Sequence, residues 1–336
     1  MTNALVKTGR LVTVFGGSGF IGRHVVRALA RDGWRVRVAA RRPDLAFHLQ
    51  PAGQVGQIHA VQANLRYPQS LALALRNADA VVNLVGIMNP IGKQQFSSIQ
   101  AEGARALATA TREAGIHNFV HISAIGANPN SSSVYARTKA QGEAAIHEIL
   151  PEGIIFRPSI VFGPEDNFFN RFAAMARVSP ALPLIGGGKT KLQPVFVGDV
   201  AKAVTAALGG AAKAGTTYEL GGPEIRSLRQ ILEFILATTE RQRLLVPLPF
   251  PIAKLLALGT ELAESLSFGL FPSVFSLTRD QVELLRYDNV VSELAKNEGR
   301  SLAAFGIVPE SFETLAPPYL YRFRKAGQFT DQSRMA

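Results

Sequence analysis

Cysteine is absent from all 336 residues, which rules out disulfide staples and thiolate chemistry and suits a reducing compartment. Also missing is any uninterrupted apolar run of membrane-spanning length. The opening residues MTNALVKTGR hold no apolar core segment ahead of the first apolar stretch at residue 11, so neither a signal peptide nor an obvious transit peptide is expected. A soluble or peripheral protein is the expectation. Repeats and low-complexity tracts are lacking as well. His24, His48, His59, His117, His121 and His147 do not cluster at ligand spacing, and no metal is expected. Acidic residues are in short supply: 25 Asp and Glu against 36 Lys and Arg leave a formal net charge of +11. Such a charge suggests nucleic acid, yet aromatic residues do not interleave with the basic ones and no helix-turn-helix or zinc pattern occurs, so none is expected. An anionic membrane surface, an acidic protein partner or a solvated basic face remain. With 47% hydrophobic residues the chain can bury a sizeable core, as one large α/β domain with an appendage or as two domains.

What is present begins with TVFGGSGFIG, from Thr13 to Gly22. Leu11 to Phe15 is a short apolar, β-branched run of the kind a buried parallel strand needs. Gly16, Gly19 and Gly22 follow at G-x-x-G-x-x-G spacing, and helical periodicity runs from Val25 to Leu29. Strand, glycine turn and helix in this order gather several free N–H groups, with Ser18, Phe20 and Ile21 in the turn, at a helix N-terminus. A pyrophosphate binds at such a point. Gly16 permits the tight turn, Gly19 lets the backbone approach the phosphates, and Gly22 lets helix and strand pack closely. Dinucleotide binding is expected.

WRVRVAARRPD reads as a second strand ending in Arg41 and Arg42. In a dinucleotide fold this strand end lies beside the adenosine ribose, where an acidic residue suits NAD(H) and arginines suit the 2′-phosphate of NADP(H). Two arginines there, with Asp44 already beyond Pro43 in a turn, favour NADP(H) over NAD(H). QIHAVQANL is a third strand ending at Asn64 and Leu65, and Pro68 opens a helix over YPQSLALALRNA. ADAVVNLVG is a fourth, whose end at Val85 and Gly86 lies against adenine and ribose. A helix over about Gln94 to Ala114 and a fifth strand, NFVHISAIGA, follow. GIIFRPSIVFGPEDNF supplies a sixth strand and a loop, through Pro158 and Ile160, that covers the nicotinamide. The alternation predicts an α/β, doubly wound parallel Rossmann sheet with right-handed crossovers and a ligand crevice at the C-terminal strand ends. Between strands five and six, SSSVYARTKAQGEAAIHEIL reads as a helix in which Tyr135 and Lys139 stand four apart on one face. An ammonium near a phenol favours the phenolate, which makes Tyr135 a candidate acid/base for carbonyl–alcohol interconversion.

The texture changes near residue 165. FFNRFAAMARVSP reads as a short helix, ALPLIGGGKTKLQPVF as a hairpin or paired strands, and SLRQILEFILATT as another helix. The expected organisation is a flexible N-terminus over 1–10 and an NADP(H)-binding Rossmann domain over 11–163, its sheet completed by segments near 192–222. A smaller, discontinuous C-terminal α/β lobe would take 164–190 and 223–316, and a basic tail 317–336. Within residues 244–275, PFPIAKLLALGTELAESL is a helix that packs on a core or lies on a membrane surface. The tail PPYLYRFRKAGQFTDQSRMA reads as extended.

TVFGGSGFIG, the Y-x-x-x-K helix and the RPSIVFGP loop together resemble the short-chain dehydrogenase/reductase superfamily, in its extended or atypical branch, over about residues 11 to 225. SSSVYARTKAQGEAAI followed by FRPSIVFGPEDNFFNRFAAM, and FGPEDNFFNRF above all, is similar to the NADPH-binding accessory subunits of respiratory complex I and their bacterial relatives. The resemblance implies a Ser or Thr at the end of strand five working with Tyr135 and Lys139. In HISAIGA that position is Ala124, and Ser123, one place earlier, points by alternation to the other face. A serine from 131–133 could substitute, though nothing requires it. Losing the donor costs on the order of 10²-fold or more in rate. Tyr135 and Lys139 can still hydrogen-bond a nicotinamide ribose. The implied function is an accessory or assembly subunit of NADH:quinone oxidoreductase holding NADP(H) structurally, with a membrane respiratory complex or other acidic protein surface as partner. Its implied place is the bacterial cytoplasm, peripheral to the inner membrane, or the mitochondrial matrix side. The alternative is an active NADP(H)-dependent reductase, epimerase or dehydratase acting on a small carbonyl or nucleotide-sugar.

Overall fold

The computed structural model describes residues 9–90, 92–266, 275–325 and 327. The chain forms two compact units, each assembled from separated stretches. The first takes Met1–Pro158, Val197–Leu220 and Ser292–Val308; the second takes Ser159–Phe196, Gly221–Val291 and Pro309–Ala336.

The first unit is built on strands β1 (Leu11–Phe15), β2 (Arg35–Ala40), β3 (Ile58–Gln62), β4 (Ala80–Asn83), β5 (Asn118–Ile122), β6 (Ile154–Pro158) and β7 (Thr217–Leu220). They form one seven-stranded sheet in the order β7-β6-β5-β4-β1-β2-β3, every neighbouring pair parallel. The β-branched runs LVTVF and AVVN are buried along their whole length, as strands covered on both faces must be. Thr13 is tolerated there because its hydroxyl donates to the Ala74 carbonyl at 2.9 Å. The covering helices are α1 (Phe20–Arg31), α2 (Pro68–Leu75), α3 (Glu102–Glu113), α4 (Val134–Ile149) and α5 (Val197–Ala206). α1 packs on α5, while α2, α3 and α4 pack side by side. α1 buries Val25, Val26, Leu29 and Ala30, the apolar side of its helical period. Phe15, Leu75, Leu107, Phe119 and Ile146 join strands to α2, α3 and α4 in one core cluster.

β5 is shorter than the apolar run NFVHISAIGA predicts. Regular pairing ends at Ile122, after which Ser123 and Ile125 donate to Phe156 and Pro158 carbonyls at 2.7 and 3.0 Å as the strand passes into a loop. The edge strand β7 is covered rather than bare. Its Glu219 N–H donates to the Arg300 carbonyl at 2.9 Å, and the Phe305 ring lies 4.9 Å from that of Tyr218.

In the second unit, helices Phe169–Val178 and Leu228–Thr238 close around Phe162, Phe169, Leu182, Leu232, Phe312 and Leu320. ALPLIGGGKTKLQPVF is not a hairpin. Gly186, Gly187 and Gly188, at φ of 62°, 72° and 70°, make a 3-10 step instead of the two-residue reversal a hairpin needs. Ala181–Ile185 therefore pairs, in parallel, with the distant Leu244–Leu248. Lys191–Leu192 runs antiparallel to Arg226–Ser227, and Val195–Phe196 pairs with Val161–Phe162 instead of joining the main sheet. The tail is not extended where it is described. Pro317–Leu320 is helical, Tyr321–Phe323 is a 3-10 turn, and Leu320 and Phe323 are buried. The rest of the tail from residue 328, like part of the 244–275 stretch, lies outside the described residues.

Candidate nucleotide site

The glycine turn follows β1 and is shaped by steric demands inside the chain. Gly16 sits at φ +79°, and a Cβ there would stand 3.1 Å from the Leu84 backbone. At Gly22 a Cβ would come within 2.2 Å of the Gly16 carbonyl oxygen, so only glycine lets α1 start so close to the strand. Gly19 is different: a Cβ would meet nothing but the Gly16 oxygen, at 3.3 Å. The space before it is open, which is what a group lying against the backbone requires. The Gly19 N–H is not one of the free donors, because it is bonded to Gly16 O at 3.1 Å. The donors are those of the first helical positions, Phe20 and Ile21, which have no acceptor within a helix. α1 has no side-chain cap and no acidic residue in its first turn, so its positive end is not neutralised. Ser18 lies half-buried in the same turn. The donors, the bare helix end and the open face of Gly19 fit a pyrophosphate.

At the end of β2 the two arginines part company. Arg42 is taken up by Asp44, with Nη2 2.6 Å from Oδ2 and Nε 3.4 Å from Oδ1, and this hydrogen bonding holds the Asp44 carboxyl below the usual range. Arg41 is exposed and, among the described residues, has no ion pair. Asn64 spends its polar groups on the turn into α2: Oδ1 accepts from Arg66 N–H at 3.1 Å and its N–H donates to Ser70 Oγ at 3.0 Å. The Leu65 side chain is core, packed where a Cβ on Gly103 would touch it, so it offers a ligand only backbone. Val85 donates its N–H to Asn83 Oδ1 at 3.1 Å, and a Cβ on Gly86 would stand 3.4 Å from Lys139 Nζ. The end of β4 and the middle of α4 therefore meet at Gly86.

Ser133 caps α4, accepting the Ala136 N–H at 3.2 Å, and this sets Tyr135 and Lys139 one turn apart. The Lys139 Nζ lies 6.0 Å from the Tyr135 ring centre and donates to the Ile122 carbonyl at 3.0 Å. Burial lowers the ammonium to a pKa of about 8, against the opposing pull of Glu143 one turn further on. The Phe96 ring stands edge-on to Tyr135 at 5.9 Å. Thr138 donates to Gln100 Oε1 at 2.8 Å, and Gln100 donates to the Ile87 carbonyl at 2.8 Å, tying α4 to the loop after β4.

No hydroxyl stands at Ala124. Ser123 is buried with an Oγ that makes no hydrogen bond, and Ser133 is engaged as the cap. Sequence reasoning passed over His121, in β5 and two residues before Ser123. It is buried, and neither ring nitrogen has a hydrogen-bond partner. Burial first, then the Lys139 charge, drive its pKa well below the usual histidine value. The available signal was a histidine inside an otherwise apolar strand. Of the last two expected residues, Pro158 closes β6, whereas Ile160 belongs to the second unit and packs against its core. Chemically, Tyr135 and Lys139 can hold a ribose diol and exchange a proton at the phenol. A second hydroxyl to polarise a carbonyl is missing from the position where strand five would offer it.

Residues 12–221 match the NAD dependent epimerase/dehydratase family. The subunit named NADH dehydrogenase [ubiquinone] 1 alpha subcomplex subunit 9, mitochondrial, of Arabidopsis thaliana is 34% identical over 325 residues, covering 95% of this chain and 79% of that one. A ceramide reductase of Caulobacter vibrioides is 34% identical over 175 residues, covering 52% of this chain and 54% of its own. Among solved structures, a UDP-glucose 4-epimerase of Thermotoga maritima superposes with a TM-score of 0.67 at 17% identity, over 94% of this chain and 99% of that one, a likeness of fold alone. With its seven-stranded parallel sheet and its glycine turn, the chain belongs to the NAD dependent epimerase/dehydratase family.

Proposed function

We propose that this chain is an accessory or assembly subunit of NADH:quinone oxidoreductase, peripheral to the bacterial inner membrane on its cytoplasmic side, that holds NADP(H) as a structural group. One observation carries the choice against turnover: Tyr135 and Lys139 are in place on α4 while Ala124 occupies the hydroxyl position after β5. Similarity to the Arabidopsis subunit along 95% of the chain supports the partner. In this reading the N–H groups of Phe20 and Ile21 bind the pyrophosphate, Tyr135 and Lys139 bind the ribose, and Arg41 faces the 2′-phosphate. A ligand that binds only the native state stabilises it by mass action, which gives a retained nucleotide a role without chemistry.

The test is to follow the bound NADPH while a panel of carbonyl compounds is added, and to follow assembly of the respiratory complex in a Tyr135→Phe strain. The expected outcome is unchanged NADPH and intact assembly. Multiple-turnover oxidation that Tyr135→Phe abolishes would overturn the proposal. It would favour a second reading, an NADP(H)-dependent reductase, for which the retained Tyr135–Lys139 pair and the similarity to a ceramide reductase speak.

A further inference from the structure

Among its described side chains, the helix Phe250–Leu266 buries small apolar residues and exposes large ones. Ala253 and Ala257 turn into the second unit and are buried. On the opposite face Ile252, Leu255, Leu256 and Leu262 follow one another at spacings of three, one and six, a single stripe at helical period, with Gly259 between them. All four leucine and isoleucine side chains are exposed, Leu255 to 70%. The strand that leads into the helix adds Leu244 and Val246, exposed on alternate positions and hence on one face. Large apolar side chains concentrated on one exposed helix face mark an interaction surface.

We infer that this outward stripe of the helix, from Ile252 to Leu262, seats the protein directly on a lipid bilayer. The residue types favour lipid over a protein partner. The stripe is aliphatic throughout, without the Trp, Tyr or Arg anchors that dominate protein interfaces, and it carries no polar group that would fix a register. The helix, 17 residues or about 25 Å long, can lie along a membrane surface, and no described helix is long and apolar enough to cross one. The chain's net +11 attracts it to an anionic surface as a whole, while the charges beside the helix are paired off and leave the stripe itself uncharged: Lys254 is bonded to Glu283, Arg279 to Glu261, and Arg286 to Glu283. The inference does not depend on the nucleotide or on the respiratory complex, since it concerns contact between this chain alone and lipid.

The experiment is vesicle flotation with the purified full chain. Vesicles of phosphatidylcholine with phosphatidylglycerol are compared with phosphatidylcholine alone, at low and at high salt. Wild type should float with the anionic vesicles and keep a measurable fraction bound at high salt, where attraction between charges is screened. Leu255→Glu with Leu256→Glu should lower partitioning at least about tenfold, because two side chains lose their apolar seat. Leu255→Asn with Leu256→Asn should act in the same direction without adding charge, and Leu294→Glu, an exposed leucine of the other unit, should change nothing. Circular dichroism and thermal melting show that each variant is folded. The inference is overturned if wild type ignores both vesicle types, if high salt releases all of it, or if the stripe variants bind like wild type. A lipid-free dimer dissolved by the same substitutions would also overturn it, since a second copy would then own the face.

Discussion

Gly19 and Gly22 are both glycines of one turn, yet for different reasons, and substitution separates them. Gly22 is demanded by the chain itself, since a methyl group would meet the Gly16 carbonyl at 2.2 Å. Gly22→Ala should cost stability, about 1–3 kcal/mol of overpacking, read as a lower melting temperature with or without nucleotide. Gly19→Val should leave far-UV dichroism and apoprotein stability nearly unchanged while abolishing nucleotide binding, because the side chain fills only the open space. If purified Gly19→Val keeps nucleotide at wild-type stoichiometry, the turn is not the phosphate site.

Arg41 and Arg42 separate in the same way. Asp44 already holds Arg42, so Arg41→Ala should erase most of a preference for NADPH over NADH, about 10- to 100-fold in affinity, and Arg42→Ala should erase little. Titration of both nucleotides at one ionic strength decides this, and equal affinities in the wild type would remove the basis for NADP(H). Lys139 makes a statement about pH. Its folded pKa of about 8 lies below the ordinary 10.5, so between those values the unfolded chain binds more protons and stability rises with pH. Below about pH 8 the apoprotein bears the full burial penalty. Lys139→Met should therefore be more stable than wild type without nucleotide near neutral pH, and the gap between their melting temperatures should narrow from about pH 8 to about pH 10. A gap that does not change with pH would mean that Lys139 is not held as the structure places it.

At the scale of elements, the loop FGPEDNFFNRF is a structural joint. Asp166 accepts N–H groups from Gly163, Phe168 and Asn170 at 3.2, 2.8 and 3.2 Å, and the Tyr319 hydroxyl at 2.9 Å. Burial raises the Asp166 carboxyl against these four donors, and it raises the Tyr319 phenol as well. Phe162, Phe169 and Phe312 pack as a ring cluster behind the loop, and Arg322 donates to Asn170 Oδ1 at 2.6 Å. Asp166→Ala orphans several buried donors at the start of a helix and should cost about 2–4 kcal/mol; Tyr319→Phe, which removes one neutral donor, about 0.5–1.5. Chemical denaturation of the two variants checks the order, and equal losses would mean that the hydroxyl contact, not the loop, is what Asp166 serves.

This is also where reading from sequence reaches its limit. β1 to β6, their helices and the Tyr135–Lys139 pair were legible because period and turn chemistry are local. The pairing of Ala181–Ile185 with Leu244–Leu248 was not, because periodicity names a strand but not its partner. The tail reads as extended for a related reason: PPYLYRF is held in helical turns by contacts with Asp166, Asn170 and Arg241 that lie far back in the chain. Within the site, the Arg42–Asp44 pair and the unpartnered His121 depend on side-chain placement that spacing does not encode.

At the scale of the whole molecule, the two units interleave along the chain. The sheet unit draws α5 and β7 from Val197–Leu220, after the first stretch of the other unit, and the cover of β7 from Ser292–Val308. During synthesis this fixes a timetable. β1, the glycine turn and α1 leave the ribosome before the rest of the sheet, yet the helix that packs on α1 follows only after Phe196, and the edge of the sheet stays bare until Arg300 arrives. Contacts this far apart form late and slowly, and until then apolar surface and a free strand edge are presented to chaperones and proteases. Nascent chains arrested with Val291 just outside the ribosome should be cut rapidly within β7, whereas chains arrested after Val308 should resist cutting there, as limited proteolysis would register. The strand of the sheet that is made before its neighbours is thus among the last to become secure.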